Sequence, residues 1–376
     1  ELPFSLHTSG PLMEWLVAHR PEYIERLQGM VASGRVEILG GGFYEPILTM
    51  IPYRDRVGQI RSYSDYLENL FGQRIRGAWI AERVWEQHLV SALVEAGIEF
   101  TVLDDFHFQR AGAASDDLFG YYLTEDEGRL LKVFPNSEAM RYLVPWQEPH
   151  ASYEYLRGLA QSRPGAVVVC ADDGEKFGGW PDTHEHIFTK GWLRHFCDML
   201  MANRDWIEPT TFAQEVDTTV PLGKVYLPDC SYREMTEWVL PPAQLSAFEA
   251  AVKGSEGVAA VDHVRPFVRA GGFWRNFKNK YIETDEMYAR MLELSRRLDS
   301  LEEQGDADAE SLDLARTELY RGQCNCPYWH GAFGGLYLPH LRNAIYQHLI
   351  ACHEALDRAE GKRGPRVSLD AADFNL

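Results

Sequence analysis

Ala166-Val-Val-Val-Cys170, followed by Ala171-Asp-Asp-Gly-Glu-Lys-Phe-Gly-Gly-Trp180, is the stretch that decides how the chain is read. Pro164-Gly165 bounds it on the N-terminal side. A short unbroken apolar run predicts a strand buried on both faces of a parallel sheet. That strand ends in two adjacent carboxylates. Successive side chains of an extended chain point to opposite faces, so Asp172 and Asp173 cannot do the same job. An acidic cluster at the C-terminal end of a buried strand is where an α/β enzyme places its chemistry. The bland alternative is a solvated Asp-Gly turn. Lys176, Phe177 and Trp180 directly behind the pair favour the functional reading.

The pattern recurs upstream. Residues 3–7 and Val36-Glu-Ile-Leu39 read as strands, the second running into Gly40-Gly-Gly-Phe-Tyr-Glu45-Pro46. Those glycines permit close backbone approach; no Lys-Ser/Thr follows to make a phosphate loop. Ala78–Ala81 is short, apolar and ends in Glu82-Arg83, and Phe100-Thr-Val-Leu-Asp104-Asp105 is a further strand. Residues 121–135 hold two β-like runs, and Lys224–Pro228 is a last one. Helical periodicity fills the gaps: Leu12 to Met30 up to Gly34, then 53–70, 86–97, 152–162 and 190–201. Strand and helix thus alternate over residues 3–230, with carboxylates at the strand ends. This predicts a parallel α/β barrel or doubly wound sheet, and residues converging from several strands favour the barrel. After Pro241-Pro242 the pattern changes. Met287, Met291, Leu294, Leu298 and Leu301 form one helical seam, and Leu338 to Leu356 another.

The 376 residues allow one large domain or two, and the net charge of −19 disfavours nucleic acid or an anionic membrane surface as partner. A neutral sugar is compatible with that charge, and ten Trp with eighteen Tyr supply faces on which sugar rings stack. The six cysteines show no CxxC or disulfide-dense spacing and read as free thiols of a reducing, cytoplasmic compartment. No apolar run is long enough to span a membrane.

Glu82 and Asp173 are the chemical pair of choice. Two carboxyls facing each other across a barrel mouth can cleave a glycosidic bond, one attacking the anomeric carbon and the other handling the proton. Arg83 is expected to hold the Glu82 charge and lower its pKa; a structural Glu82–Arg83 ion pair is the alternative. Asp182, His184 and His186 could be read as metal ligands, but i, i+2 spacing does not face one way on a helix, so no metal or other cofactor is expected. Asp104, Asp105 and His107 are assigned a supporting role under the cleft, and Cys324 and Cys326 are read as buried thiols.

Four segments in order carry a specific resemblance: Glu37 before Gly40-Gly-Gly-Phe-Tyr-Glu45-Pro46, Trp79-Ile-Ala-Glu82-Arg-Val-Trp85, Asp172-Asp173-Gly-Glu175-Lys176-Phe-Gly, and Tyr328-Trp329-His330-Gly331. Together they resemble glycoside hydrolase family 57, most of all its α-amylase and 4-α-glucanotransferase members. The resemblance implies a (β/α)7-type barrel followed by a helical bundle region, acting on α-1,4-glucans with retention. It implies Glu82 as nucleophile and Asp173 as general acid/base. Glu37, Trp79, Glu175, Lys176, Trp180, Trp329 and His330 fall where the family lines its substrate cleft. Two departures accompany it: the family's His-rich first segment, and with it a first barrel strand, is not present, and Ala171 stands where relatives often carry His. The expected layout is a partial barrel over 1–232, a helical region over 233–357, and a linker over 358–376 toward an absent β-sandwich, in a chain cut at both ends. The expected function is 4-α-glucanotransferase, with α-amylase or a catalytically silent glucan-binding protein as alternatives; a metal-dependent deacetylase-like barrel is a third class. The expected partner is an α-glucan or maltooligosaccharide, and a homodimer is left open.

Overall fold

A computed structural model describes residues 2–255 and 273–362. Its parallel strands lie side by side: β1 (Phe4–His7) pairs with β2 (Val36–Leu39), and β3 (Gly77–Ala78) pairs with β4 (Phe100–Asp104). A parallel bridge between Gly40 and Ala78 joins β2 to β3. β5 (Tyr122–Asp126) and β6 (Arg129–Asn136) form an antiparallel hairpin, and β6 also runs parallel to β4. The next stave is a single parallel bridge, Asn136 to Val169. Every parallel stave therefore points its C-terminal end to the same side, where a barrel carries its chemistry.

Several sequence expectations are corrected here. Ala166–Cys170 is no regular strand: only Val169 bridges and is buried, and Cys170 is exposed. The outer edge of β6 is already occupied by β5 up to Val133, which leaves residues 134–136, and of these only Asn136 bridges to Val169. Lys224 likewise makes one bridge, to Leu123. The helix expected from Leu12 to Met30 is two, Gly10–His19 and Pro21–Ala32, because Pro21 lacks the N–H a continuous helix needs. Trp15 and Tyr23 lie exposed on them rather than in the core.

The helical region is built as the spacing predicts. Met287, Met291, Leu294, Leu298 and Leu301 form the buried stripe of the helix Ile282–Gln304. Each such side chain contributes roughly 1.5–3 kcal/mol on burial. The helices Ala309–Gly322 and Pro339–Ala359 pack along each other beside it. The last of them ends just beyond the expected boundary at 357, and residues 363–376 of the expected linker lie outside the described residues.

A buried carboxylate clamps this region to the barrel. Asp55, on the helix Tyr53–Phe71, accepts hydrogen bonds from Ser295 Oγ at 2.7 Å and Gln323 Nε2 at 2.6 Å. Burial raises its pKa against these partners and Arg54. At the cleft, the Glu45 carbonyl accepts from Asn325 N (3.1 Å) and Nδ2 (2.6 Å), so the loop after β2 and the helical region move as one wall.

Candidate active site

The chain leaves β3 through a 3-10 turn, Ala81–Arg83, in which two successive non-glycine residues take left-handed backbone: Glu82 at φ 54° and Arg83 at φ 48°. That conformation costs of order 1–3 kcal/mol per residue and persists only where surroundings over-determine it. Here they do. Trp85 and Cys230 pair by two backbone bonds of 2.8 and 3.0 Å, laying segment 230–232 against the turn. Ser231 Oγ then donates to the Glu82 carbonyl at 2.6 Å, and Tyr232 Oη donates to Glu82 Oε2 at 2.9 Å. The turn throws the Glu82 carboxyl into a largely enclosed pocket. Burial pushes its pKa up to about 7, Tyr232 and Arg83 oppose that, and Asp173 and Glu45 add to it.

The expected effect of Arg83 is thus overruled by desolvation. Nor do the two residues form an ion pair. Arg83 is buried, faces Trp79 and Tyr232 (5.4 and 4.9 Å from their ring centroids), and bonds Asp104 at 3.2 Å. Asp104 also lies 3.9 Å from Arg141, which binds Asp172 at 3.0 Å, and Asp172 in turn pairs with Lys176. An alternating line of charges therefore runs Arg83–Asp104–Arg141–Asp172–Lys176, from the Glu82 turn to the Asp173 loop. Burial raises the Asp104 pKa, but the two guanidinium groups outweigh it and the carboxyl titrates below its usual range. Asn136 fixes the same loop by exchanging two 2.8 Å bonds with the Ala171 backbone.

The two adjacent aspartates divide their roles as the alternation argument requires. Asp172 is tied into the ion-pair line, whereas Asp173 stands open in the cleft. Crowding by protein raises the Asp173 pKa, Arg83 opposes this, and Asp172 and Glu175 raise it further. The Asp173 carboxylate raises the Glu82 pKa, and Arg83 acts on both groups. A 3-10 turn, Gly174–Phe177, carries the loop on. Gly178 then takes φ 117°, where a side chain would also strike Phe188 at 2.7 Å. Trp180 N donates to the Glu175 carbonyl at 2.9 Å, which fixes the backbone of this turn.

The remaining expected residues separate. Trp79 faces Arg83, and Trp180 lies beside Trp146, with centroids 6.0 Å apart and planes 23° apart. Trp329 stacks on Trp238 at 6.1 Å, Trp238 meets Tyr232 edge-on at 5.9 Å, and the Trp329 indole N–H donates to Asn325 Oδ1. These three rings make one aromatic wall beside Glu82. Lys176 is buried under Trp146 and Trp180 and neutralises Asp172. Glu175 is exposed, and His330 is bound to its own loop through the Gly334 carbonyl at 2.8 Å. Glu37 is the one expected cleft residue the structure removes from the cleft. Its carboxylate is buried and accepts from Ser5 Oγ (2.6 Å) and from the Phe212 and Ala213 N–H groups (3.0 Å each), so its acceptors serve a strand and a helix start. His186 bonds the Pro145 carbonyl at 2.8 Å, and no cluster of three metal-ligating side chains occurs among the described residues. Cys326 is exposed rather than buried, and Cys324 is half-buried against the edge of the core.

Sequence reading missed Tyr232, Trp238 and the pair His7–Glu45, whose Nε2–Oε1 distance is 2.9 Å. Gly41 gives the nearest signal for that pair: a Cβ there would meet the Trp79 carbonyl at 2.8 Å and His7 Cε1 at 3.0 Å. Tyr232 had none, because it reaches Glu82 only through the Trp85–Cys230 pairing.

With this geometry in view, the comparisons with known proteins are decisive. The Glycosyl hydrolase family 57 profile matches residues 1–228. The chain belongs to glycosyl hydrolase family 57. The family's "Alpha-amylase/4-alpha-glucanotransferase, middle domain" profile matches residues 272–356. Alpha-amylase 1 of Dictyoglomus thermophilum is 43% identical over 360 residues, 96% of this chain and 52% of that protein. The 4-alpha-glucanotransferase of Thermococcus litoralis is 42% identical over 356 residues, 95% of this chain and 52% of that protein. The crystal structure of the latter superposes with a TM-score of 0.90 at 40% identity, covering 100% of this chain and 56% of that one. The chain thus spans about half the length of the curated relatives it matches. Its fold is that of the family, a (β/α)7-type α/β barrel followed by a helical region.

Proposed function

We propose that the protein is a retaining α-1,4-glucan-active enzyme working as a 4-α-glucanotransferase on maltooligosaccharides. The observation that carries this reading is the pairing of two strand-end carboxyls, Glu82 held by Tyr232 at 2.9 Å and Asp173 exposed, with the Asp173 charge acting on Glu82 and Arg83 acting on both. Glu82, ionised, attacks the anomeric carbon as the C1–O4 bond breaks, while Asp173 gives its proton to the departing O4. Asp173 then takes the proton of an incoming 4-hydroxyl, whose oxygen attacks C1 and releases Glu82. The Tyr232 hydroxyl steadies the carboxylate in the free enzyme, and the Arg83 charge partly offsets the burial of both carboxyls. The turn and the charge line hold the pair at fixed separation, for which roughly 5–5.5 Å is expected of a retaining enzyme.

Transfer and hydrolysis differ only in the acceptor. The Tyr232–Trp238–Trp329 wall beside Glu82 is aromatic, which favours a sugar ring over free water at the glycosyl-enzyme. The relative of Thermococcus litoralis bears the name 4-alpha-glucanotransferase, in keeping with this preference. Six free cysteines fit a reducing, cytoplasmic setting, and no helix among the described residues is long and apolar enough to cross a membrane. The test is product analysis of maltotriose incubated with the full-length protein and its Glu82→Gln variant. Longer maltooligosaccharides plus glucose, absent in the variant, support transfer. Maltose and glucose alone move the assignment to α-amylase. No product from either protein overturns the enzymatic reading.

A further inference from the structure

Three aromatic rings outside the Glu82 pocket are brought together by three separate segments. Trp180 belongs to the loop that carries Asp173. Trp146 comes from the connection between the helices Glu138–Leu143 and Pro149–Ser162, and Phe333 from the loop before Pro339–Ala359. Trp146 and Trp180 are near-parallel and offset, with centroids 6.0 Å apart and planes at 23°. Trp180 and Phe333 follow at 5.9 Å and 43°. Trp146 is 43% exposed and Phe333 68%, so the two outer rings spend their faces on water although each stands beside another aromatic. Lys176 Nζ sits 5.9 Å from the Trp146 centroid and 5.8 Å from that of Trp180 while paired with Asp172, which fixes both indoles to the charged floor of the catalytic loop. Exposed Trp15, by contrast, stacks on His19 of its own helix.

We infer that Trp146 and Phe333 extend the cleft beyond Trp180 as a shelf for further glucosyl units, and that they make the enzyme select longer α-glucan chains. This rests on the function proposed above. Trp180, on the Asp173 loop, is the middle ring of the shelf, and Trp146 and Phe333 are its two neighbours. Flat apolar rings bind the C–H faces of glucose and leave its hydroxyls in water, so the shelf adds affinity without adding linkage chemistry. It counts units, while the Glu82–Asp173 pair reads the bond to be broken. Because the rings come from both the barrel loops and the helical region, a chain lying on them is gripped from both sides of the cleft.

The experiment compares kcat/KM for maltotriose and maltoheptaose in the full-length protein and its Trp146→Ala, Trp146→Phe and Phe333→Ala variants. Either alanine variant is expected to lose about tenfold more on maltoheptaose than on maltotriose, and Trp146→Phe to recover most of that difference. Equal losses on both substrates, or none, overturn the shelf. If the wild-type protein turns over neither substrate, the proposed function fails and the shelf is read by calorimetry instead. A tighter affinity for maltoheptaose than for maltotriose that disappears in Trp146→Ala then supports it, and the absence of a length preference in the wild type overturns it.

Discussion

Tyr232 Oη lies 2.9 Å from Glu82 Oε2, although 150 residues of chain separate them. A phenol donating to a carboxylate stabilises the ionised form, which is the form a nucleophile needs. The phenol cannot compete by ionising itself, since burial and the Glu82 charge drive its own pKa far up. A hydrogen bond to a charged group is worth about 1.5–3 kcal/mol. Tyr232→Phe is therefore expected to lower kcat by roughly ten- to a hundredfold with a smaller change in KM. Steady-state kinetics on maltotriose check it, and wild-type kcat in the variant would remove Tyr232 from the mechanism.

The pH profile follows from the coupling of Glu82 and Asp173. Both carboxyls are raised, Glu82 to about 7, and each is pushed by the other's charge or by neighbouring acids. Such a pair titrates as a unit, and the reacting state holds one proton. kcat/KM is expected to be bell-shaped, falling on the acid side when both carboxyls are protonated and on the alkaline side as the last proton leaves near about 7. A profile still rising at pH 9 would contradict this arrangement.

Stability should move the opposite way to activity at Glu82. Its pKa rises from 4.5 to about 7 on folding, so the folded state binds the proton more tightly and stability falls as pH climbs through that window. Glu82→Gln has no charge to bury. We expect it to abolish turnover and to gain up to roughly 3 kcal/mol above pH 7, with no gain below pH 4.5. Urea unfolding at pH 4 and pH 8 measures the difference.

Removal of Asp104 breaks the charge line at its centre. Arg83 and Arg141 would be left buried beside each other without their shared carboxylate. Truncating one member of a buried ion pair costs about 3–5 kcal/mol, which is the expected loss in Asp104→Ala. A loss below about 1 kcal/mol would mean that the line does not set the positions of the Glu82 turn and the Asp173 loop.

Asp173→Asn should slow maltooligosaccharides far more than substrates with activated aryl leaving groups, which depart with little acid help. Parallel rates on maltotriose and a nitrophenyl maltooligosaccharide decide the point. Equal losses would assign the acid role elsewhere.

Much of this was legible because it is local. An apolar run such as Phe100–Asp104 and the three- to four-residue seam from Met287 to Leu301 announce themselves, and both elements form where expected. Pro21 and the crowded outer edge of β6 are where periodicity misled. A proline cancels a helix that hydrophobic spacing favours, and a strand needs a free neighbour as well as an apolar sequence.

By itself the sequence determined which residue types end each strand: Glu82 after β3 and the Asp172-Asp173 pair after the Val169 bridge, along with the family motifs that contain them. Tertiary structure alone decided what those residues do. It sent Glu37 to cap Phe212 and Ala213, joined Arg83 to Asp104 rather than to Glu82, and brought Tyr232 to the Glu82 carboxyl. The physical reason is that burial and charge neighbours set a carboxyl's role, and both depend on contacts between segments far apart in the chain, which no local pattern encodes.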